Sequence, residues 1–171
     1  MSQANSKLAS FPSKGFGCVM VLIFLAIILA AYVDTMYRLK KAKEQVTAAK
    51  MYVNAMNKVQ QSHFLEKAAF TTSVKALEIS SKTETAYHYS LYITKKTAFN
   101  YALSPKKELK SYVGGVFVLP AKEVDAKAAK DKMTTASILC EADSAGTIKP
   151  AEPTYKNGKI ACGQGTTEVT R

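Results

Sequence analysis

Gly15–Val33, GFGCVMVLIFLAIILAAYV, is the stretch that decides the fold. It carries no charge, and Lys14 and Asp34 bracket it. Its 18 residues from Phe16 to Val33 are apolar except for Gly17, counting Tyr32 as amphipathic. A helix of that length covers ~27 Å at ~1.5 Å rise per residue, close to the ~30 Å of a bilayer's hydrocarbon. The helical pattern then continues without Pro or Gly into a polar stem. One long helix, apolar at its start and two-faced afterwards, organises the chain.

In the stem, apolar or small residues recur at Met36, Leu39, Ala42, Val46, Ala49, Val53, Met56 and Val59. Steps of three and four mark one helical face. Lys40, Lys43, Glu44, Lys50, Asn54 and Lys58 lie between them. The spacing predicts one helix from Phe16 to about Gln61. Residues 62–82 read as a loop and a short helix, with Phe64, Leu65, Phe70, Val74 and Leu77 as core anchors.

Beyond them the period changes from 3.6 to 2. Tyr87, Tyr89, Leu91 and Ile93 alternate with His88, Ser90, Tyr92 and Thr94, the pattern of a half-buried strand. Phe99, Tyr101 and Leu103 repeat it, and Ser104-Pro105-Lys106 turns the chain. Tyr112–Leu119 is a third strand, whose Gly114-Gly115 predicts a bulge or a close backbone approach to the long helix. Lys122–Lys132 reads as an alanine-rich connector or short helix, and Thr134–Glu141 as a fourth strand. A loop containing Asn157-Gly158 precedes a short strand, Lys159–Cys162, and the tail from Gly163 reads as mobile. The expected fold is α+β: a small antiparallel sheet of about four strands on the distal half of the helix, covered by Val46, Ala49, Val53, Met56 and Val59. The expected segments are 1–15, 16–33 (apolar helix), 34–61 (stem) and 62–171 (sheet domain).

The chain has 171 residues and a net charge of +11. The charge divides as +2 before the apolar run, +3 in 34–66 and +6 in 67–171, a solvated surface more than a focused patch. Only Arg38 and Arg171 are arginines, against 22 lysines. Base-edge and bidentate phosphate readout favours Arg, so specific nucleic-acid recognition is not expected; a weak, salt-sensitive attraction to DNA is compatible with the charge. Cys18 lies in the apolar run and reads as a small buried side chain. Cys140 and Cys162 have no CxxC spacing and no clustered histidines, which argues against zinc. Outside the cytoplasm they would pair; in a reducing compartment both would be free.

A signal-peptidase cut behind Ala30 or Ala31 would place bulky Ile28 or Leu29 two residues before it, a poor site, so the apolar segment is expected to stay attached. Arg38, Lys40, Lys41 and Lys43 follow the run while Lys7 and Lys14 precede it, which by itself mildly favours the opposite orientation. Set against the reading of paired cysteines, the N-terminus is placed in the cytoplasm and the sheet domain outside the inner membrane.

This order of parts resembles type IV pilins and type II secretion pseudopilins, and more narrowly the cyanobacterial pilin-like proteins of G and H type. The residues that carry the likeness are Ser13-Lys14-Gly15 before Phe16, Asn57–Gln61, Ser111–Val118, and the frame Cys140-Glu141-Ala142 with Ala161-Cys162-Gly163. The resemblance implies a leader of residues 1–15, a prepilin peptidase that cuts between Gly15 and Phe16, and N-methylation of Phe16. It also implies partnership with other pilin or pseudopilin subunits, and a disulfide between Cys140 and Cys162. Such a bond, closing a loop of 21 intervening residues, is worth roughly 3 kcal/mol by chain entropy. One position departs from the pattern: the fifth residue after the cut, normally Glu in assembling pilins, is Met20. A buried carboxylate is costly unless it meets a partner, which in the family is taken to be the freed amine of a neighbouring subunit. Met20 avoids that cost and forgoes the register, and Gly17 replaces the usual Thr. The implied role is a minor structural subunit; the alternative is a membrane-anchored module that binds a partner and never assembles.

No catalytic constellation is legible. His63 and His88 have no nucleophile motif near them, and Gly114-Gly115 lacks the spacing of a nucleotide loop. Glu141, Asp143 and Glu152 form a thin calcium set in a lysine-rich chain and read rather as a solvated acidic loop. No cofactor is expected.

Overall fold

The computed structural model describes residues 13–72 and 87–169, with side chains from residue 19 onward. Its chain separates into two compact units, Met1–Lys41 and Ala42–Arg171. Helix α1 runs Ser13–Lys67. It starts before Phe16 and passes the expected end at Gln61 because nothing in Ser62–Lys67 breaks it. It stops at Ala68, whose φ of 52° is left-handed and whose N–H returns to the Phe64 carbonyl at 2.8 Å, closing the last turn.

The described part of the first unit is helix, and every described side chain from Val19 to Lys41 is exposed. In the second unit, the described residues after α1 hold seven strands: β1 His88–Ile93, β2 Thr97–Leu103, β3 Tyr112–Pro120, β4 Met133–Ala142, β5 Thr154–Lys156, β6 Lys159–Ala161 and β7 Thr166–Glu168. Five form one antiparallel sheet in the order β1-β2-β3-β4-β7, and β5-β6 is a separate hairpin. Its turn is Asn157-Gly158, with φ of 52° and 75°, the two left-handed residues that a tight hairpin requires.

Two expectations change here. The sheet has a fifth strand, β7, inside the tail that reads as mobile. Cys162 is tied to Cys140 on β4, with Cα atoms 5.8 Å apart, and this tether delivers the residues after it to the β4 edge. Second, the sheet is buried on both faces, as the nearly unbroken burial of β2 and β3 requires. Alternate residues therefore serve two cores. On one face Ala49 and Val53 of α1 pack with Tyr87, Ala102, Leu109 and Tyr112, and Phe70 with Ala98 and Val116. On the other, Phe99, Tyr101, Val113, Phe117, Leu119, Ile138 and Cys140 pack beneath Tyr155, Ile160 and Cys162. Val53 and Met56 are wholly buried, each worth about 1.5–3 kcal/mol of transfer free energy.

Of the expected anchors, Phe70 is buried and Phe64 packs beside it. Leu65 is exposed instead, because the longer helix turns it away from the side that carries Val53, Met56 and Gln60. Val74 and Leu77 lie outside the described residues. The connector Lys122–Lys132 holds only a single 3-10 turn, Ala121–Glu123.

Candidate functional site

The apolar part of α1 is one candidate surface. Among the described residues, α1 is the one helix long and apolar enough to cross a membrane. Its polar boundary is built locally: Arg38 Nε donates to Asp34 Oδ2 at 2.8 Å, and the Thr35 hydroxyl donates to the Ala31 carbonyl at 2.8 Å. Gly15 and Phe16 lie within the helical backbone, and Met20 is exposed like its neighbours. The expectation of a buried Cys18 falls on a side chain outside the described ones.

The second candidate is the seam where α1 from Ala42 onward meets the sheet. Three buried or half-buried amides on α1 reach it. Asn57 donates from Nδ2 to the Ile138 carbonyl at 3.0 Å, and its Oδ1 accepts from Asn100 Nδ2 at 2.8 Å. Gln60 holds both backbone groups of Thr71, donating to the carbonyl at 2.9 Å and accepting from the N–H at 2.9 Å. Gln61 donates to the Thr135 carbonyl at 3.2 Å and accepts from the Ser137 hydroxyl at 3.2 Å. Gly114 makes room for Asn57. A Cβ on Gly114 would lie 2.2 Å from Asn57 Oδ1, and one on Gly115 would lie 3.2 Å from Pro153 on the opposite face. The strand register runs unbroken through both, so the close approach is real and there is no bulge.

Charge closes the end of the seam nearer Ala42. Glu141 on β4 accepts from Lys50 Nζ of α1 at 2.8 Å and from Lys110 Nζ at 3.0 Å. Burial pulls the Glu141 carboxyl up, but hydrogen bonds from Lys50, Lys110 and Tyr112 outweigh it and hold it below its ordinary value. The neighbouring phenols move the other way. Burial, with the Tyr89 phenol and the Glu141 charge, pushes Tyr87 up to about 12. Burial and the bond to Glu141 raise Tyr112 further. A cleft of about 500 Å³ opens beside the seam, lined from α1 by Lys50, Met51, Asn54 and Asn57, from β4 by Ser137, Ile138 and Leu139, and by Glu168 and Val169.

The structure disperses the other residues singled out in the sequence. His63 Nδ1 sits 2.7 Å from the Ala69 carbonyl at the helix end, and His88 is exposed on β1. Glu141, Asp143 and Glu152 do not converge: Asp143 accepts from the Thr167 hydroxyl at 2.6 Å, and Glu152 accepts from the Tyr101 hydroxyl at 2.6 Å. Cys140 and Cys162 are joined. Sequence reasoning missed Asn57, Gln60 and Gln61 as seam residues. Their signal was polar amides beside the buried stripe, one of which, Asn57, lies opposite Gly114.

The model of one family, described as type IV pilin-like G and H, matches residues 45–163. No curated protein and no solved structure matches the chain. The matched residues hold the distal part of α1, its amide seam, the double glycine and both joined cysteines, and the chain belongs to the type IV pilin-like G and H family.

Proposed function

We propose that this chain is a minor structural subunit of the pilin or pseudopilin kind, held in the inner membrane by the apolar part of α1 and able to enter a fibre or pseudopilus. The observation that carries this reading is the contrast along one helix. Val19–Lys41 is exposed, whereas Ala49, Val53 and Met56 are fully buried by the chain's own sheet. An apolar helical surface that its own fold leaves uncovered is satisfied by lipid or by like helices. Assembly then exchanges one for the other, with no catalytic step by this chain. The Cys140–Cys162 disulfide fits a sheet domain on the oxidising side of the membrane.

In this reading residues 1–15 are the leader, a prepilin peptidase cuts between Gly15 and Phe16, and Phe16 is N-methylated. Met20 offers no carboxylate to a neighbour's freed amine, which suits a minor subunit. The test is the N-terminal mass of the protein from membranes and from sheared surface material separately. Methylated Phe16 in sheared material is the expected result; a chain still beginning at Met1 in both fractions sinks the reading.

Met20 also favours a second reading, a membrane-anchored accessory module that never assembles. It predicts protein in membranes alone and none in sheared material.

A further inference from the structure

We infer that one end of the sheet domain, where the β1–β2 turn, the β3–β4 connector and the β5–β6 turn come together, binds an acidic polysaccharide. Lysines that the sequence spreads evenly are gathered there by the fold. Lys95 and Lys96 lie in the turn between β1 and β2, and the Val118 N–H of β3 donates to the Lys96 carbonyl at 2.9 Å. β3 pairs with β4 as far as Pro120 opposite Met133. The connector between them closes on itself, its Ala121 N–H donating to the Lys132 carbonyl at 2.8 Å. It carries Lys122, Lys127, Lys130 and Lys132. The β5–β6 turn is held against this connector: the Tyr155 hydroxyl donates to Glu123, and a Cβ on Gly158 would lie 3.8 Å from Glu123 Oε2. Lys156 and Lys159 flank that turn as a directly opposed cross-strand pair.

All eight lysines are exposed, and among the described residues none of them forms an ion pair. The carboxylates mixed with them are Glu123, Asp125 and Asp131. Two of these are engaged: Glu123 by Tyr155, and Asp125 by the Lys127 backbone N–H, which donates to its Oδ1 at 2.9 Å. Eight lysines against three carboxylates leave +5 at this end. The opposite end of the sheet is balanced. There Lys106, Lys107, Lys110 and Lys149 meet Glu108, Glu141, Asp143 and Glu152, with ion pairs Lys110–Glu141 at 3.0 Å and Lys149–Glu152 at 3.7 Å. Charge segregated in this way draws polyanions to one end. Like charges directly opposite on two strands repel, so an anionic group seated between Lys156 and Lys159 relieves a repulsion that the chain leaves uncompensated. Shape and residue type select the polyanion. Three separate loops present the charge, a broken surface that a stiff duplex touches at few phosphates. Phosphate recognition also favours the arginine fork, and this end presents lysine alone. A flexible glycan carrying carboxylates follows the loops and meets the lysines as point charges.

Binding of this kind is independent of assembly and holds in either reading of the membrane-anchored chain. The experiment titrates the full chain, in micelles of an uncharged detergent, with alginate, with uncharged dextran and with duplex DNA. The parent is expected to bind alginate at about 0.1 M salt, to release it as salt rises, and to ignore dextran. Lys156→Ala with Lys159→Ala, and separately Lys127→Ala with Lys130→Ala, are each expected to weaken alginate binding about tenfold. Lys106→Ala with Lys107→Ala removes the same charge at the balanced end and is expected to change it less than about twofold. Equal weakening by all three pairs overturns the inference, because net charge alone then does the binding. So does a parent that fails to bind alginate, dextran bound as well as alginate, or a folded test pair that keeps the parent's affinity. Duplex DNA bound more tightly than alginate at matched charge overturns the choice of partner and assigns this end to nucleic acid. Thermal unfolding shows whether each variant is folded, and since the two test pairs lie in different loops, loss of one fold leaves the other to decide.

Discussion

Asn57 of α1 occupies the space that a side chain on Gly114 of β3 would need: a Cβ there would stand 2.2 Å from Asn57 Oδ1 and 2.7 Å from its Nδ2. Asn57 cannot step aside freely, because the same amide bonds the Ile138 carbonyl and Asn100. Gly114→Ala is therefore expected to cost about 2–4 kcal/mol, combining overpacking with lost buried hydrogen bonds. That corresponds to a fall in Tm of about 10 °C or more. In an Asn57→Ala background the same change is expected to cost at least about 1 kcal/mol less. Thermal unfolding of the four proteins of this cycle checks the coupling; equal costs in both backgrounds would refute it.

Gln60 is wholly buried and serves both backbone groups of Thr71. Gln60→Leu preserves most of the volume but strands a donor and an acceptor, so it is expected to destabilise by about 2–4 kcal/mol. Denaturant unfolding measures this, and a change below about 0.5 kcal/mol would mean that water replaces the lost bonds.

The disulfide has a local and a global consequence. Cys140→Ser with Cys162→Ser is expected to cost roughly 3 kcal/mol. It should also speed amide exchange in β7, whose pairing is confined to Cys140–Ala142. In denatured protein kept free of reductant, thiol titration is expected to find Cys18 alone, with Cys140 and Cys162 appearing after reduction. Unchanged exchange at Thr167 and Glu168 in the double variant would show that the tether does not position the strand.

Stability is expected to fall at both ends of the pH scale for identifiable reasons. Burial opposes the Glu141 charge, but bonds from Lys50, Lys110 and Tyr112 prevail and hold its carboxyl below its ordinary 4.5. A depressed folded value means that its stabilisation is complete above the unfolded pKa and is lost as pH falls through the folded one. Glu141→Gln should flatten that acid limb. Tyr87 is raised, chiefly by burial, from 10.0 to about 12. Its contribution is complete below pH 10.0 and is lost as pH rises through about 12, and Tyr87→Phe should shallow the alkaline limb. Unfolding free energy against pH for parent and variants tests both signs.

Membrane attachment is expected to depend on the exposed apolar residues of α1. A high-salt wash should leave the protein in membranes, and detergent should release it. Leu25→Lys with Leu29→Lys should weaken insertion, at about 2.5–3.5 kcal/mol for each charge near the centre of a span. Release of the parent by salt alone would contradict an embedded helix.

The sequence by itself determined what depends on neighbours along the chain. An uncharged apolar run, a stripe at steps of three and four, and a later alternation of two are local patterns, so α1, the order of β1 to β4 and the asymmetry along the helix were legible before any contact was known. Gly114-Gly115 announced either a bulge or a close approach for the same reason, since glycines inside a strand lack side chains to pack there. The tertiary structure alone decided which layers approach. Gly114 admits Asn57 of the helix, whereas Gly115, pointing to the other face, admits Pro153. It also decided that the tail becomes β7, because a bond between Cys140 and Cys162 brings distant residues to one edge. Long-range pairing leaves no periodic trace in the residues it joins, and the polar amides of the seam take their meaning only from the strand laid against them.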